Sequence, residues 1–143
     1  MLEAQGNVWD FYGAPDTVIV IPTNGDVNRY GECVMGRGLA LQAKKRIKGI
    51  ARKLGDAIRE FGSVPLYLDD GRCLSFPVKH HWFEHADLEL IKRSTDDLGD
   101  LAQHAIGESF IGVRFGCGNG KLNWSDVRPI LETLPDNVII LNP

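Results

Sequence analysis

The feature that most constrains the fold is residues 17–22, TVIVIP, which are β-branched or apolar at successive positions. A strand of this kind shows no polar face, so it is covered on both sides, as central strands of parallel sheets are. A polar loop follows at once, Thr23-Asn24-Gly25-Asp26-Val27-Asn28-Arg29-Tyr30-Gly31, and Met35-Gly36-Arg37-Gly38 then opens a helical pattern. Leu39, Ala43, Ile47, Ile50, Leu54 and Ile58 recur at spacings of four, four, three, four and four, which predicts one buried stripe. Gly49 and Gly55 are the points where this stripe divides into two helices.

The rest of the chain repeats the alternation. Residues 1–12 read as a first strand and its exit turn, and residues 65–68 and 72–78 as a hairpin about Asp69-Asp70-Gly71. Leu88, Ile91, Leu98, Leu101 and Ala105 predict a second long helix with Asp87 as its N-cap. Residues 110–115 form a further strand that ends in the tight loop Gly116-Cys117-Gly118-Asn119-Gly120. Ser125 caps a short helix to about residue 134, with Pro129 tolerable near its start, and residues 138–141 form a last strand. Strands alternating with helices predict an α/β fold with three layers, α/β/α, about a mostly parallel, mixed central sheet. A chain of 143 residues is expected to form a single domain whose core needs no disulfide or metal staple.

Composition excludes several classes. Apolar runs such as Val18-Ile19-Val20-Ile21 are far too short to span a bilayer, so no membrane partner is expected. Three cysteines without metal-type spacing fit a reducing compartment, and no basic segment leads into an apolar stretch at the start, so a cytoplasmic monomer is expected. The net charge of −3 rules out a polycation that grips nucleic acid by bulk attraction. Lys44, Lys45, Arg46, Lys48, Arg52 and Lys53 nonetheless crowd one stretch, and Asp87, Glu89, Asp96, Asp97 and Asp100 another. Both read as solvated helix faces, and the basic one also as a guide for a polyanionic substrate.

Both glycine loops follow an apolar strand and precede a helix, the place where ligands sit in open α/β sheets. Glycines admit an anion close to backbone N–H groups, and a helix N-terminus adds positive potential. Neither loop is a phosphate-binding lysine loop or a dinucleotide fingerprint. Together they can form two walls around a diphosphate.

The runs Thr23-Asn24-Gly25 and Val34-Met35-Gly36-Arg37-Gly38-Leu39-Ala40 resemble the first ligand loop of macrodomains, and Gly116-Cys117-Gly118-Asn119-Gly120-Lys121-Leu122-Asn123-Trp124 resembles the second. Phe76-Pro77-Val78-Lys79-His80-His81-Trp82 is similar to a segment of one macrodomain branch. That branch contains the terminal ADP-ribose protein glycohydrolase and the bacterial antitoxin that strips ADP-ribose from DNA. The resemblance covers nearly the whole chain. It implies a macrodomain fold, ADP-ribose or ADP-ribosylated nucleic acid or protein as partner, hydrolysis with no cofactor, and a set of site residues. Asn7, with Val8, stands where macrodomains carry an adenine-binding Asp, so an amide oxygen replaces a carboxylate there. Thr23 and Asn24 match the position that meets the distal ribose, with Asn24 implied in catalysis. Val34, Met35, Gly36, Arg37 and Gly38 would face the diphosphate from one side, and Gly116, Cys117, Gly118, Asn119, Gly120, Lys121 and Leu122 from the other. Lys79 is implied to act at C1″ of the distal ribose, as a nucleophile that forms a ring-opened lysyl adduct. Partial burial and neighbouring cations would free its amine for this, with His80, His81 and Trp82 as the expected shield.

Gly120 occupies the position at which the protein-directed enzyme of this branch carries an acid/base Asp; the DNA-directed type has glycine. His80, His81 and Asp26 are the alternatives for protonating the leaving group. His81 and His85 would share one face of a helix and could ligate zinc, and Cys117 is a candidate thiol or a small filler under a turn. The functional readings are an ADP-ribosyl glycohydrolase, a non-catalytic ADP-ribose reader and an ADP-ribose 1″-phosphate phosphatase.

Overall fold

The computed structural model describes residues 1–142. Its six strands are β1 (Leu2–Gln5), β2 (Thr17–Thr23), β3 (Tyr67–Leu68), β4 (Cys73–Pro77), β5 (Ser109–Val113) and β6 (Val138–Asn142). The helices are α1 (Gly38–Arg46), α2 (Ile50–Phe61), α3 (Leu88–His104) and α4 (Trp124–Leu131), with a 3₁₀ turn at Val8–Phe11. The strands form one sheet in the order β1-β6-β5-β2-β4-β3. All neighbours are parallel except the β3–β4 hairpin, so the sheet is mixed and mostly parallel, as predicted.

Strand β2 lies at the centre, paired with β4 on one edge and β5 on the other. Its alternate side chains explain its unbroken apolar reading. Val18 and Val20 pack with Phe76, Ile91, Leu98, Phe110 and Phe115 on the face covered by α3 and α4. Ile19 and Ile21 pack with Ala43, Ile47, Ile50 and Leu54 on the face covered by α1 and α2. Two cores on opposite faces of one sheet make the three layers. Each fully buried aliphatic side chain contributes roughly 1.5–3 kcal/mol relative to exposure.

Local rules account for most boundaries. Gly49, with φ of +79°, ends the turn after α1 and starts α2, so the stripe divides there as expected. It does not divide at Gly55, which sits inside α2. A Cβ on Gly55 would stand 2.1 Å from the carbonyl oxygen of Gly31, so glycine there admits a neighbouring loop instead of breaking the helix. Asp87 caps α3 by accepting from the Glu89 N–H at 2.9 Å, as predicted. Leu88 is exposed, and Leu90 and Ile91 take up the buried stripe, because the first helical residue faces out from the cap. Ser125 is not the cap of α4: Asn123 holds that place, its carbonyl taking the Asp126 N–H at 3.0 Å, and the helix ends at Leu131 rather than near 134. Two buried hydroxyls in α3 are satisfied. Thr95 donates to the Ile91 carbonyl, and Ser94 donates to the Pro77 carbonyl at 2.7 Å, which ties α3 to the end of β4. No helix among the described residues is long and apolar enough to cross a membrane.

Gly55→Ala tests the close approach in α2. An exposed Gly→Ala change in a helix normally stabilises by about 1 kcal/mol. Here the Cβ must displace backbone, so the expected outcome is a loss of roughly 2 kcal/mol or more, read as a lowered midpoint in thermal or urea unfolding.

Candidate ligand cleft

Five parallel strands end on the same edge of the sheet, and their last or following residues line one cleft of about 1460 Å³: Gln5, Thr23 with Asn24, Val78 with Lys79, Val113 with Arg114, and Leu141 with Asn142. The parallel sheet therefore delivers a polar residue from every strand to one place, outside the carboxyl ends of the strands.

The two glycine loops form opposite walls. Gly36, Arg37 and Gly38 line one side, and Gly116 to Gly120 the other, all within the cleft. The walls approach closely where Gly38, with φ of +57°, faces the Asn119 amide: a Cβ there would stand 3.0 Å from Asn119 Nδ2. A Cβ on Gly36 or Gly118 would meet open space, so these two glycines border the cleft itself. Among the described residues, the N–H groups of Gly36, Gly118 and Asn119 donate to no protein acceptor, which leaves them available to an anion. Met35 is buried in the core beneath its loop, and Lys121 is exposed outside the cleft with φ of +65°; neither lines it. Val34, Cys117 and Leu122 do.

Asn24 braces its own loop. Its Nδ2 donates to the Val34 carbonyl at 2.9 Å, and its Oδ1 accepts from the Asp26 N–H at 3.0 Å. Asn7 serves as a cap: its Oδ1 accepts from the Trp9 N–H at 3.0 Å and starts the 3₁₀ turn. Both residues line the cleft; Asn24, whose Oδ1 also takes the Cys33 thiol at 3.8 Å, keeps one uncommitted N–H, and Asn7 keeps both N–H groups and one lone pair.

Lys79 follows β4 and is partly buried. Its Nζ lies 3.4 Å from the carbonyl oxygens of both Trp82 and Asn119, so it reaches across to the second loop. Burial, and then the positive charges of Arg37 and Lys121, lower its pKa from the ordinary lysine value. The cations that shift it come from the two glycine loops. Of the three expected shields only Trp82 lines the cleft.

The three candidates for a proton donor lie outside the lining. Asp26 spends both carboxylate oxygens on the turn after Lys79: Oδ1 is 2.8 Å from His81 Nδ1, and Oδ2 accepts the Trp82 N–H at 2.8 Å. His80 pairs with Asp87 at 2.9 Å. Among the described residues, no carboxylate and no histidine lines the cleft, and Arg37, Lys79, Arg114 and Cys117 are its only ionisable side chains. Residues 80–86 are not helical, so His81 and His85 do not share a helix face, and no metal-competent group of three ligands occurs among the described residues. Burial pushes the Cys117 thiol up, which disfavours a thiolate nucleophile.

Gly120 could not carry an acid in this loop. A Cβ there would stand 2.4 Å from the Gly116 carbonyl oxygen and 2.7 Å from the Ala86 Cβ, while Gly120 O accepts the Ala86 N–H at 2.9 Å. The glycine is required by packing of the second loop against the segment before α3.

The sequence reading missed Gln5, Gln42, Arg114 and Asn142 in the lining, and gave Asn123 and Trp124 no role of their own. Arg114 stands out: its guanidinium carbon lies 5.0 Å from the Trp124 ring centre, and its buried Nε has no partner among the described residues. Its position one residue past a parallel strand, level with Asn24 and Lys79, was the signal that could have found it.

This architecture has relatives. The macrodomain of Mycobacterium tuberculosis DarG superposes with a TM-score of 0.78 at 26% identity, covering 99% of this chain and 97% of that one. The chain is a macrodomain. A second structure, Thermosipho africanus DarTG in complex with ADP-ribose, shares the fold with a TM-score of 0.77 at 24% identity, over 99% of this chain and 41% of its own. In sequence, this macrodomain is 30% identical over 124 residues to the DNA ADP-ribosyl glycohydrolase of M. tuberculosis, spanning 77% of the chain but only 35% of that relative's length. It is 27% identical over 105 residues to bovine ADP-ribose glycohydrolase OARD1, covering 71% of the chain and 66% of that protein. No family model matches the chain.

The geometry around Lys79 sets its titration. Lys79 is expected to titrate below the ordinary lysine value, and Arg37→Ala to move it back upward, as followed by NMR of ¹³C-methylated lysines. Gly120→Asp is expected to lower stability by roughly 2 kcal/mol or more in thermal unfolding, because the new side chain displaces backbone.

Proposed function

We propose that this macrodomain, acting as one unit over residues 1–143, binds ADP-ribose and removes it from a modified nucleic acid or protein. The observation that carries this is the placement of Lys79. Among the described residues it is the only amine in a cleft that otherwise presents neutral amides, two guanidiniums and free loop N–H groups, and no side-chain carboxylate. Such a lining suits a diphosphate. A pure reader has no need of a lysine with a lowered pKa beside the sugar site. The activities named for the mycobacterial and bovine relatives support the same reading.

In this reading the diphosphate lies between the two glycine walls, with Gly36, Arg37 and Gly38 on one side and Gly116, Cys117, Gly118, Asn119 and Gly120 on the other. Leu122 supports the second wall, and Asn7 with Val8 stands at the adenine end. Thr23, Asn24 and Val34 hold the loop at the distal ribose, where Asn24 offers its remaining N–H to a sugar hydroxyl. The neutral Lys79 amine attacks C1″, and the bond from C1″ to the macromolecule breaks with its electrons on the departing atom. Water hydrolyses the ring-opened lysyl adduct and restores the amine. With no acid lining the cleft, the proton taken up by the leaving group comes from water or from the lysine itself as it forms the new bond.

Three outcomes are expected. Free ADP-ribose at about 100 times its Kd raises stability by roughly 2.7 kcal/mol, read as a melting shift. Gly118→Val keeps the fold, because its side chain meets open space, and abolishes that shift by filling the cleft. Lys79→Ala and Lys79→Arg both lose turnover on ADP-ribosylated DNA and protein, with ADP-ribose affinity changed by less than about tenfold, or roughly 1.4 kcal/mol. The wild-type rate rises with pH as the Lys79 amine deprotonates. Full turnover by Lys79→Ala overturns the lysine mechanism, and binding without turnover in the wild type identifies a reader.

A further inference from the structure

The turn after Lys79 carries a feature that ADP-ribose binding does not use. Trp82 and Phe83 are 49% and 67% exposed, an unusual state for two large aromatic side chains next to a cleft. Trp82 also lines that cleft, and its carbonyl touches the Lys79 amine. The aromatic group is ordered rather than loose. Phe83 stacks on His81 with ring centres 5.5 Å apart and meets Trp82 edge-on at 5.7 Å. Asp26 fastens the turn from the first ligand loop through His81 and the Trp82 N–H, both at 2.8 Å. The Glu84 carboxylate accepts the His81 N–H at 3.0 Å, and the Gly25 N–H donates to the His80 carbonyl at 3.2 Å.

We propose that Trp82, held by Asp26, is the leaving-group subsite, and that it stacks on a nucleobase of a nucleic-acid strand bearing the ADP-ribose. This rests on the function proposed above, in which Lys79 acts at C1″. Whatever hangs from C1″ then lies on the Lys79 side of the cleft, where Trp82 stands. A base presents a flat, neutral face that stacks on an aromatic ring irrespective of sequence. A carboxylate released from a peptide has no such face to stack on the ring, and the turn beside it already carries the negative charge of Asp26 and Glu84.

Charge complementarity agrees. The hairpin that supplies Asp26 continues to Arg29 and Tyr30, and Arg52 of α2 donates to the Tyr30 carbonyl at 3.0 Å. Arg59 lies 3.5 Å from the place a Gly31 Cβ would occupy. Among the described residues, Arg72 and Arg128 are the only arginines in ion pairs, so the charges of Arg29, Arg52 and Arg59 are not neutralised by a carboxylate, although Arg29 donates to the Tyr30 hydroxyl at 2.8 Å and Arg52 to the Tyr30 carbonyl. Exposed aromatic rings, on a turn held by the hairpin that also carries Arg29, combine the stacking surface and positive charge that single-strand binders use.

The experiment measures Kd in the Lys79→Ala background, where the adduct stays intact. Its probes are free ADP-ribose, a single-stranded oligodeoxynucleotide ADP-ribosylated on a base, and a peptide ADP-ribosylated on glutamate. The oligonucleotide should bind at least about tenfold more tightly than ADP-ribose, and Trp82→Ala should remove that gain, bringing the two probes within about twofold of each other. Trp82→Phe should keep most of the gain. Asp26→Ala should lose it, and Asp26→Asn, which keeps an acceptor for the Trp82 N–H, should lose less. Equal affinity for oligonucleotide and ADP-ribose overturns the subsite, as does an equal loss on both probes in Trp82→Ala. A Trp82-dependent gain on the peptide instead assigns the subsite to protein adducts and overturns the nucleobase. No binding of free ADP-ribose by the parent chain overturns the underlying function and the subsite with it, whereas binding of the oligonucleotide without turnover by wild type overturns only the hydrolase reading.

Discussion

Everything in this molecule depends on the parallel pairing of β2 with both β4 and β5. A strand paired on both edges and covered on both faces has no freedom to shift, because a slip by one residue would exchange the two cores. That fixed strand ends at Thr23, whose carbonyl accepts the Val78 N–H at 2.9 Å. The first ligand loop and Lys79 therefore leave the sheet side by side. Parallel strands also point the same way, so five chain exits share one edge and one cleft.

The cleft is shaped more by the absence of side chains than by their presence. Gly116 and Gly120 allow the second loop to fold back on itself and against Ala86, and Gly55 allows the hairpin carrying Asp26 to lie on α2. Gly36 and Gly118 leave the cleft open. Backbone N–H groups and cations remain as the lining's electrostatic content, and among the described residues no side-chain carboxylate lines it. Burial, and then the charges of Arg37 in the lining and Lys121 just outside it, lower the pKa of Lys79.

Several polar residues turn out to hold the loops. Asn24, Asn7 and Asp26 each spend side-chain atoms on nearby backbone or on the Lys79 turn. The histidines that invite a catalytic or metal reading are paired to Asp26 and Asp87 beyond the cleft. Spacing along the chain carries no information about which side of a turn a ring faces, and here the turn is irregular, so helical periodicity does not apply.

The sequence by itself determined the layers. The doubly apolar strand 17–22, the helical stripe from Leu39 to Ile58 and the Asp87 cap are local consequences of side-chain period and backbone chemistry, and they appear as read. That the two glycine loops and Lys79 leave the sheet at strand exits was legible for the same reason, and the structure brings them to one cleft. What only the tertiary structure decided are relations between segments far apart in sequence. Gly55 reads as a helix break until the Gly31 carbonyl is found 2.1 Å from its missing Cβ. Gly120 reads as a lost acid until Gly116 and Ala86 are seen to fill its space. Asp26 reads as a proton donor until both its oxygens are found 55 and 56 residues away in sequence, on His81 and Trp82. Steric exclusion and hydrogen-bond satisfaction act through space, and no pattern along one chain encodes which atoms will meet.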